Sequence, residues 1–259
     1  MTTLSQLIDI FSPTTPFTPP ANWFQGRTAY GGLSAALALQ AVLAQPDGEM
    51  PSLRSAQITY IAPMADGLTF QVQALRQGKS ASSVAVDCLV DGSIALRAAF
   101  IFANARQSRY HHELTVRPEV RAPESYAPPP SKAPLPIFFS NFDIRFVSAA
   151  VPGSGSDTPE LLAWVRLREA AGVAPQVALL ALGDCLPPAT MACFTEPAPI
   201  SSMNWTVDFV QQPADTTGWF LLRSRSLHAG EGYSYQLMEV WDEAGKLVMI
   251  GSQTVAIFA

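Results

Sequence analysis

The chain has 259 residues, of which 14% are charged, with a formal net charge of −5 and a positive mean hydropathy. That length holds one large domain or two of ordinary size, with more apolar material than a modest core absorbs. An acidic balance without a Lys/Arg-rich block argues against a nucleic-acid partner, and no apolar run approaches the roughly 18 residues of a membrane-spanning helix.

The first ten residues lack a basic n-region and an apolar h-region, so no secretory signal is read there and a cytoplasmic location is expected. Ser12-Pro-Thr-Thr-Pro-Phe-Thr-Pro-Pro20 reads as an extended arm. Trp23-Phe-Gln-Gly-Arg-Thr-Ala-Tyr-Gly-Gly32 is a loop with three glycines, Gly26, Gly31 and Gly32. Residues 33–43 are rich in Ala and Leu and predict a helix buried on most sides, ended by Pro46-Asp-Gly48.

From residue 53 to 102 the hydrophobic period changes from that of a helix to two. Four strands are predicted, around 56–61, 68–75, 83–90 and 94–102, as an antiparallel meander, with Asp91-Gly92 as a hairpin turn. Residues 117–136 hold seven prolines and almost no periodicity, which is a semi-rigid connector. It divides the chain into residues 1–108, a linker 109–137, and residues 138–259. Strands at 141–147 and 161–168 flank the Gly153-Ser-Gly-Ser-Asp157 loop, the stretch that carries Asp184 is the second helix, and further strands run from 204 to 258.

The second half repeats the order of the first. Ile58-Thr-Tyr-Ile-Ala-Pro aligns with Thr206-Val-Asp-Phe-Val-Gln, and Leu75-Arg-Gln-Gly-Lys-Ser with Leu227-His-Ala-Gly-Glu-Gly. The separation from Ala36 to Ile58 equals that from Asp184 to Thr206. On this alignment Ala36, Ile58 and Phe100 stand where Asp184, Thr206 and Gln253 stand in the second half.

Those last three residues are polar in apolar company. In Val177-Ala-Leu-Leu-Ala-Leu-Gly-Asp184-Cys-Leu-Pro-Pro188, helical spacing puts Asp184 on one face with Val177, Leu180 and Ala181. A charge there is costly unless paired; an alternative reading is that Asp184 ends its helix or caps the next turn. Thr206 lies on a strand and is open to a purely structural role. Gln253 shares a strand face with Gly251, Val255 and Ile257. A carboxylate, a hydroxyl and an amide can hold one water, with the carboxylate taking its proton. Backbone N–H groups at a helix N-terminus, such as the one the Gly31-Gly32 turn opens, can hold a developing oxyanion.

The three cysteines, Cys88, Cys185 and Cys193, lack CxxC spacing and read as reduced thiols. His111, His112 and His228 show no metal-ligand spacing, and no metal or other cofactor is expected. Neither a nucleophile elbow nor a phosphate-binding loop is present.

Taken together, the glycine loop at 23–32, the Leu75-Arg-Gln-Gly-Lys-Ser turn, Trp205-Thr-Val-Asp-Phe and Gly251-Ser-Gln-Thr-Val resemble the acyl-CoA thioesterase II (TesB-like) family. The resemblance runs over nearly the whole chain. It implies an α+β double hotdog, two copies of a long helix wrapped by an antiparallel sheet. It also implies an acyl-CoA substrate and a water oriented by Asp184, Thr206 and Gln253. For such a substrate, Gly31 and Gly32 at the helix start and the basic residues Arg76 and Lys79 are candidate contacts, with solvated surface charge the alternative for the latter two. Arg27 and Arg54 are further candidates for the CoA phosphates. Cys185-Leu-Pro-Pro departs from the more polar sequence usual after the helix aspartate. A homo-oligomer is expected because sheets of this kind leave edges to cover. A non-hydrolytic protein that binds acyl groups is the alternative the same fold allows.

Overall fold

The computed structural model describes residues 1–46, 50–130, 135–213 and 215–259. Asp47, Gly48 and Pro134 of the sequence reading lie outside them. A short helix α1 (Leu4–Ile10) opens the chain, followed by the two-residue strands β1 (Phe24–Gln25) and β2 (Thr28–Ala29). Helix α2 (Gly31–Leu43) then leads into β3 (Leu53–Tyr60), β4 (Thr69–Gln77), β5 (Ala81–Val90) and β6 (Ser93–Ala103). The second half has β7 (Phe142–Phe146), β8 (Glu160–Leu167), helix α3 (Pro175–Gly183), and β9 (Ile200–Phe209). It ends with β10 (Phe220–Gly230), β11 (Tyr233–Asp242) and β12 (Leu247–Ile257). None of the helices among the described residues is long and apolar enough to cross a membrane.

Residues 12–20 hold no helix, as expected of the arm, and they are preceded by α1, for which the sequence reading has no element. Its signal is a capping box: Thr3 accepts from the backbone of Gln6 while the Gln6 side chain accepts from the backbone of Thr3. The first-half strands are also not a simple meander. β3 leaves its sequence neighbour β4 and pairs with β6, so the order is β4-β5-β6-β3. This frees the other edge of β3 to pair with β9, and ten strands form one continuous sheet, β4-β5-β6-β3-β9-β12-β11-β10-β8-β7. The Asp91-Gly92 turn is as expected, with both residues at positive φ between paired Val90 and Ser93.

The sheet wraps α2 and α3. Both helices are apolar on nearly all sides, and every residue from Gly32 to Leu39 and from Val177 to Gly183 is buried. A helix enclosed in this way derives its stability from packing rather than from amphipathic contrast. Tyr30 ties the two helices end to end, its hydroxyl donating to the Ala181 carbonyl at 2.9 Å while its ring stacks on Phe138 at 4.1 Å. The halves also meet through Asn22 and Asn141: each amide nitrogen donates to the other residue, at 2.6 and 2.7 Å.

The proline-rich segment is a strap as well as a connector. It crosses the outer face of the second half, where Arg117 lies over the Trp164 ring and the Trp164 indole donates to Arg121 O at 3.0 Å. A second, smaller apolar cluster of Trp164, Trp219, Leu221 and Trp241 forms beneath it, with Val120 and Tyr126 packed against the cluster.

On the inner face Trp205 is fully buried at the β3–β9 seam, across from Ile58 and Gln253. Gly251 makes room for it, since a Cβ there would come within 3.2 Å of the indole nitrogen, whereas a Cβ at Gly183 would collide with the Met249 side chain. Trp205→Ala should lower stability by about 3–5 kcal/mol, measured by urea denaturation. The loss should register equally on probes in both halves, because the seam belongs to both.

Candidate active site

α3 ends at Gly183, and Asp184 is its C-cap residue, one position beyond the helix rather than within it. The antiparallel packing of the helices brings this C-terminus against the N-terminus of α2. A Cβ at Gly31 would lie 2.7 Å from Asp184 Oδ2 and 3.2 Å from Tyr60 Oη. A Cβ at Gly32 would lie 2.5 Å from the Tyr30 hydroxyl. Gly31 is therefore required where the carboxylate approaches the helix start, and Gly32 where the Tyr30 side chain folds back over it. The carboxylate accepts the Gly32 backbone N–H and, through Oδ1, the Gln253 side-chain amide at 2.6 Å.

The orientation of that amide is set from behind. Ala189 N–H donates to Gln236 Oε1 at 2.8 Å, so the Gln236 amide nitrogen faces Gln253 and donates to its Oε1 at 3.0 Å. Gln253 must then present its own nitrogen to Asp184. Ser224 adds a longer contact to Gln236 Oε1 at 3.4 Å. Sequence reasoning did not single out Gln236. Its signal was position: it shares the buried face of β11 with Ser234, Met238 and Val240.

Burial pushes the Asp184 carboxyl up to about 7, against the opposing pull of the Gln253 amide and the Gly32 N–H. The folded value exceeds the unfolded one of about 3.9, so the protonated form is the one the fold favours. That contribution to stability is fully present below about pH 4 and is lost as pH rises through about 7. Burial also raises the neighbouring Cys185 thiol well above its ordinary range, which removes it as a thiolate nucleophile.

Asp184, Gly31, Tyr60, Ser202 and Gln253 all open onto one cavity of about 720 Å³. Its remaining walls are mostly apolar: Pro129, Pro130, Leu135 and Pro136 of the strap, Phe138 and Phe139 after it, and Ile61, Met64, Leu186 and Met191, with Gln25, Thr28 and Ser201 adding polar groups. Among the described lining residues Asp184 carries the sole charge.

Two expectations fail on geometry. Thr206 pairs with Ser252 and Gln57, whereas Gln253 pairs with Trp205. Thr206 therefore sits on the outer face of the sheet, away from Asp184. Aligning Ile58, which is buried, with Thr206 shifted the repeat by one residue, and a one-residue slip exchanges the two faces of a strand. The hydroxyl on the inner side is Ser202. The pairing shifts between Thr254 and Val255, so that Ser202 lies opposite buried Val255. Such a bulge re-aims a side chain in a way that plain alternation does not reveal.

Arg76 and Lys79 are the second correction. The cavity end of the first-half sheet is the row Tyr60, Leu96, Cys88 and Phe70. Arg76 lies six residues further along β4, roughly 20 Å away, and Lys79 lies in the turn beyond. Arg54 is likewise at the far end of β3, donating to Ala103 O. Arg27 is different: it is exposed in the turn between Gln25 and Thr28, both of which line the cavity. No group of His, Cys, Asp and Glu among the described residues is arranged to hold a metal ion.

Comparison with known proteins gives two family matches, an acyl-CoA thioesterase N-terminal domain over residues 19–103 and an acyl-CoA thioesterase C-terminal domain over residues 118–257. A hot dog fold protein of unknown function from Alicyclobacillus acidocaldarius superposes with a TM-score of 0.84 at 23% identity, covering 94% of this chain and 92% of that one. A putative thioesterase II from Thermobifida fusca gives 0.80 at 17% identity, over 96% and 94% of the two chains. The acyl-CoA thioesterase II TesB2 from Mycobacterium marinum gives 0.74 at 18% identity, over 94% and 93%. A search of curated proteins found no match. At these identities the superpositions establish the double hotdog fold.

Because the Gln253 amide stabilises the charged carboxylate, its removal should raise the Asp184 pKa further. A ¹³C-carboxyl titration should place Asp184 near 7 in the wild type and above that in Gln253→Leu; a lower value in the variant would contradict the assigned hydrogen bond.

Proposed function

The chain belongs to the acyl-CoA thioesterase family, and on that premise we propose that it hydrolyses acyl-CoA to a carboxylic acid and free CoA at the Asp184 site. The observation that carries this reading is a carboxylate in the wall of a largely apolar cavity, set against a helix N-terminus and pushed by burial up to about 7. A general base works best with a pKa near the operating pH, and an ordinary surface aspartate is too weak for that.

In this reading Asp184 Oδ1 is occupied by Gln253, and Oδ2 takes a proton from water as the water oxygen attacks the thioester carbonyl carbon. The C–S bond then breaks, and the proton held by Asp184 passes to the departing sulfur. Ser202 supplies the hydroxyl that helps hold the water. Positive character at the start of α2 favours the charge that develops there.

The acyl group would lie against the proline and phenylalanine walls. With no cation among the described lining residues, they favour an acyl chain that is uncharged at its far end. The polar part of CoA would remain outside, near Arg27. One such site per chain is the natural count. The C-cap position that Asp184 holds after α3 is held after α2 by Ala44, which has no carboxylate to offer.

Thiol release from a panel of acyl-CoAs tests the reading directly. Asp184→Asn should lower kcat/KM by about 10²–10⁴-fold, and the wild-type kcat/KM should rise as pH passes through about 7 and level off above it. Saturable acyl-CoA binding without thiol release would instead favour a carrier. The face assignment makes a separate prediction. Ser202→Ala should reduce kcat by about tenfold or more, at the scale of a lost positioning contact, while Thr206→Ala leaves it unchanged. The reverse pattern would restore Thr206 to the site.

A further inference from the structure

One polar atom at this site is used by none of the contacts described above. The Tyr60 hydroxyl is buried and has no hydrogen-bond partner among the described residues. Buried hydroxyls are nearly always satisfied, so an orphan beside a carboxylate needs a reason. Its position supplies one. Tyr60 ends β3 and lines the cavity, and its oxygen and Asp184 Oδ2 flank the same point over Gly31, the first residue of α2.

We propose that the Tyr60 hydroxyl is a catalytic donor that meets the thioester carbonyl oxygen and holds it as it becomes an oxyanion. This rests on the hydrolytic reading of the Asp184 site. Hydrolysis of a thioester by water needs an acceptor for the proton of the nucleophile and a donor for the oxygen that gains charge. Asp184 is the acceptor. The α2 N-terminus supplies a fixed dipole, but its Gly32 N–H is already engaged by Asp184. A phenol that stays protonated keeps a hydrogen to donate to a carbonyl oxygen, and burial beside a carboxylate keeps Tyr60 protonated well beyond its ordinary range. The hydroxyl would gain in the transition state a hydrogen bond to a charged oxygen that no described residue offers it. That difference is what accelerates a chemical step. No proton leaves Tyr60 in the cycle: the water proton goes to Asp184 and then to sulfur.

Tyr60→Phe removes one oxygen and no hydrogen bond to a described residue, so the fold should be unaffected. Wild type, Tyr60→Phe and Asp184→Asn are compared for thiol release, for binding of a non-hydrolysable acyl-CoA thioether, and for Tm. In Tyr60→Phe the expected result is a kcat lower by about 10²-fold or more, with unchanged thioether affinity, unchanged Tm, and the same rise of rate through about pH 7. An active Tyr60→Phe beside an inactive Asp184→Asn would overturn this inference and leave the hydrolase reading standing. A rate loss matched by falls in Tm and thioether affinity would make Tyr60 a wall residue and overturn it equally. A wild type that releases thiol from no acyl-CoA would defeat both.

Discussion

The organisation of the molecule depends on one carboxylate placed between two helix ends. Asp184 stands at the C-terminus of α3, where the helix dipole opposes negative charge, and against the N-terminus of α2, where it favours it. Neither helix could achieve this alone. The two must run antiparallel and nearly touch, which is why Gly31 has no side chain and why Tyr30 closes over the Ala181 carbonyl. The price of holding the charge there is a carboxyl raised to about 7, so the group costs stability in the pH range where it can act as a base.

The two copies of the fold meet where that carboxylate needs support. Pairing of β3 with β9 fuses the sheets, and Trp205 packs into the seam. β12 lies beside β9 and carries Gln253, while β11 beyond it carries Gln236. The chain of amides from Ala189 N–H through Gln236 and Gln253 to Asp184 thus runs across neighbouring strands. Each member is fixed by the one behind it, so the base is oriented by the sheet rather than by its own short loop. The first half contributes the other wall, through Gly31 and Tyr60. The site belongs to both repeats although its charge belongs to one.

The proline-rich segment shows how a connector gains a second use. Its first part straps the outer face of the sheet through Arg117, Val120 and Tyr126, and its last part supplies Pro129, Pro130, Leu135 and Pro136 to the cavity wall. Proline suits both tasks, because it needs no partner for an N–H it does not have and loses little chain entropy on ordering.

Sequence alone determined what depends on local pattern. The change from a helical to a twofold period identified two buried helices and their strands, the Asp91-Gly92 turn followed from dipeptide chemistry, and Asp184 and Gln253 stood out as polar residues on apolar faces. Resemblance to a known family then named the fold. What lay beyond sequence was set by pairing between distant segments. Alternation does not reveal the bulge in β9, so the sequence points to Thr206 where the register shift presents Ser202. A turn motif cannot say which end of a sheet it occupies, and the turn that carries Lys79, with Arg76 beside it, lies at the end opposite the cavity. Gln236 and Tyr60 are unremarkable in their strands and acquire meaning from what lies across from them. Register, strand order and the approach of two helix ends are long-range contacts, and only the tertiary structure decided them.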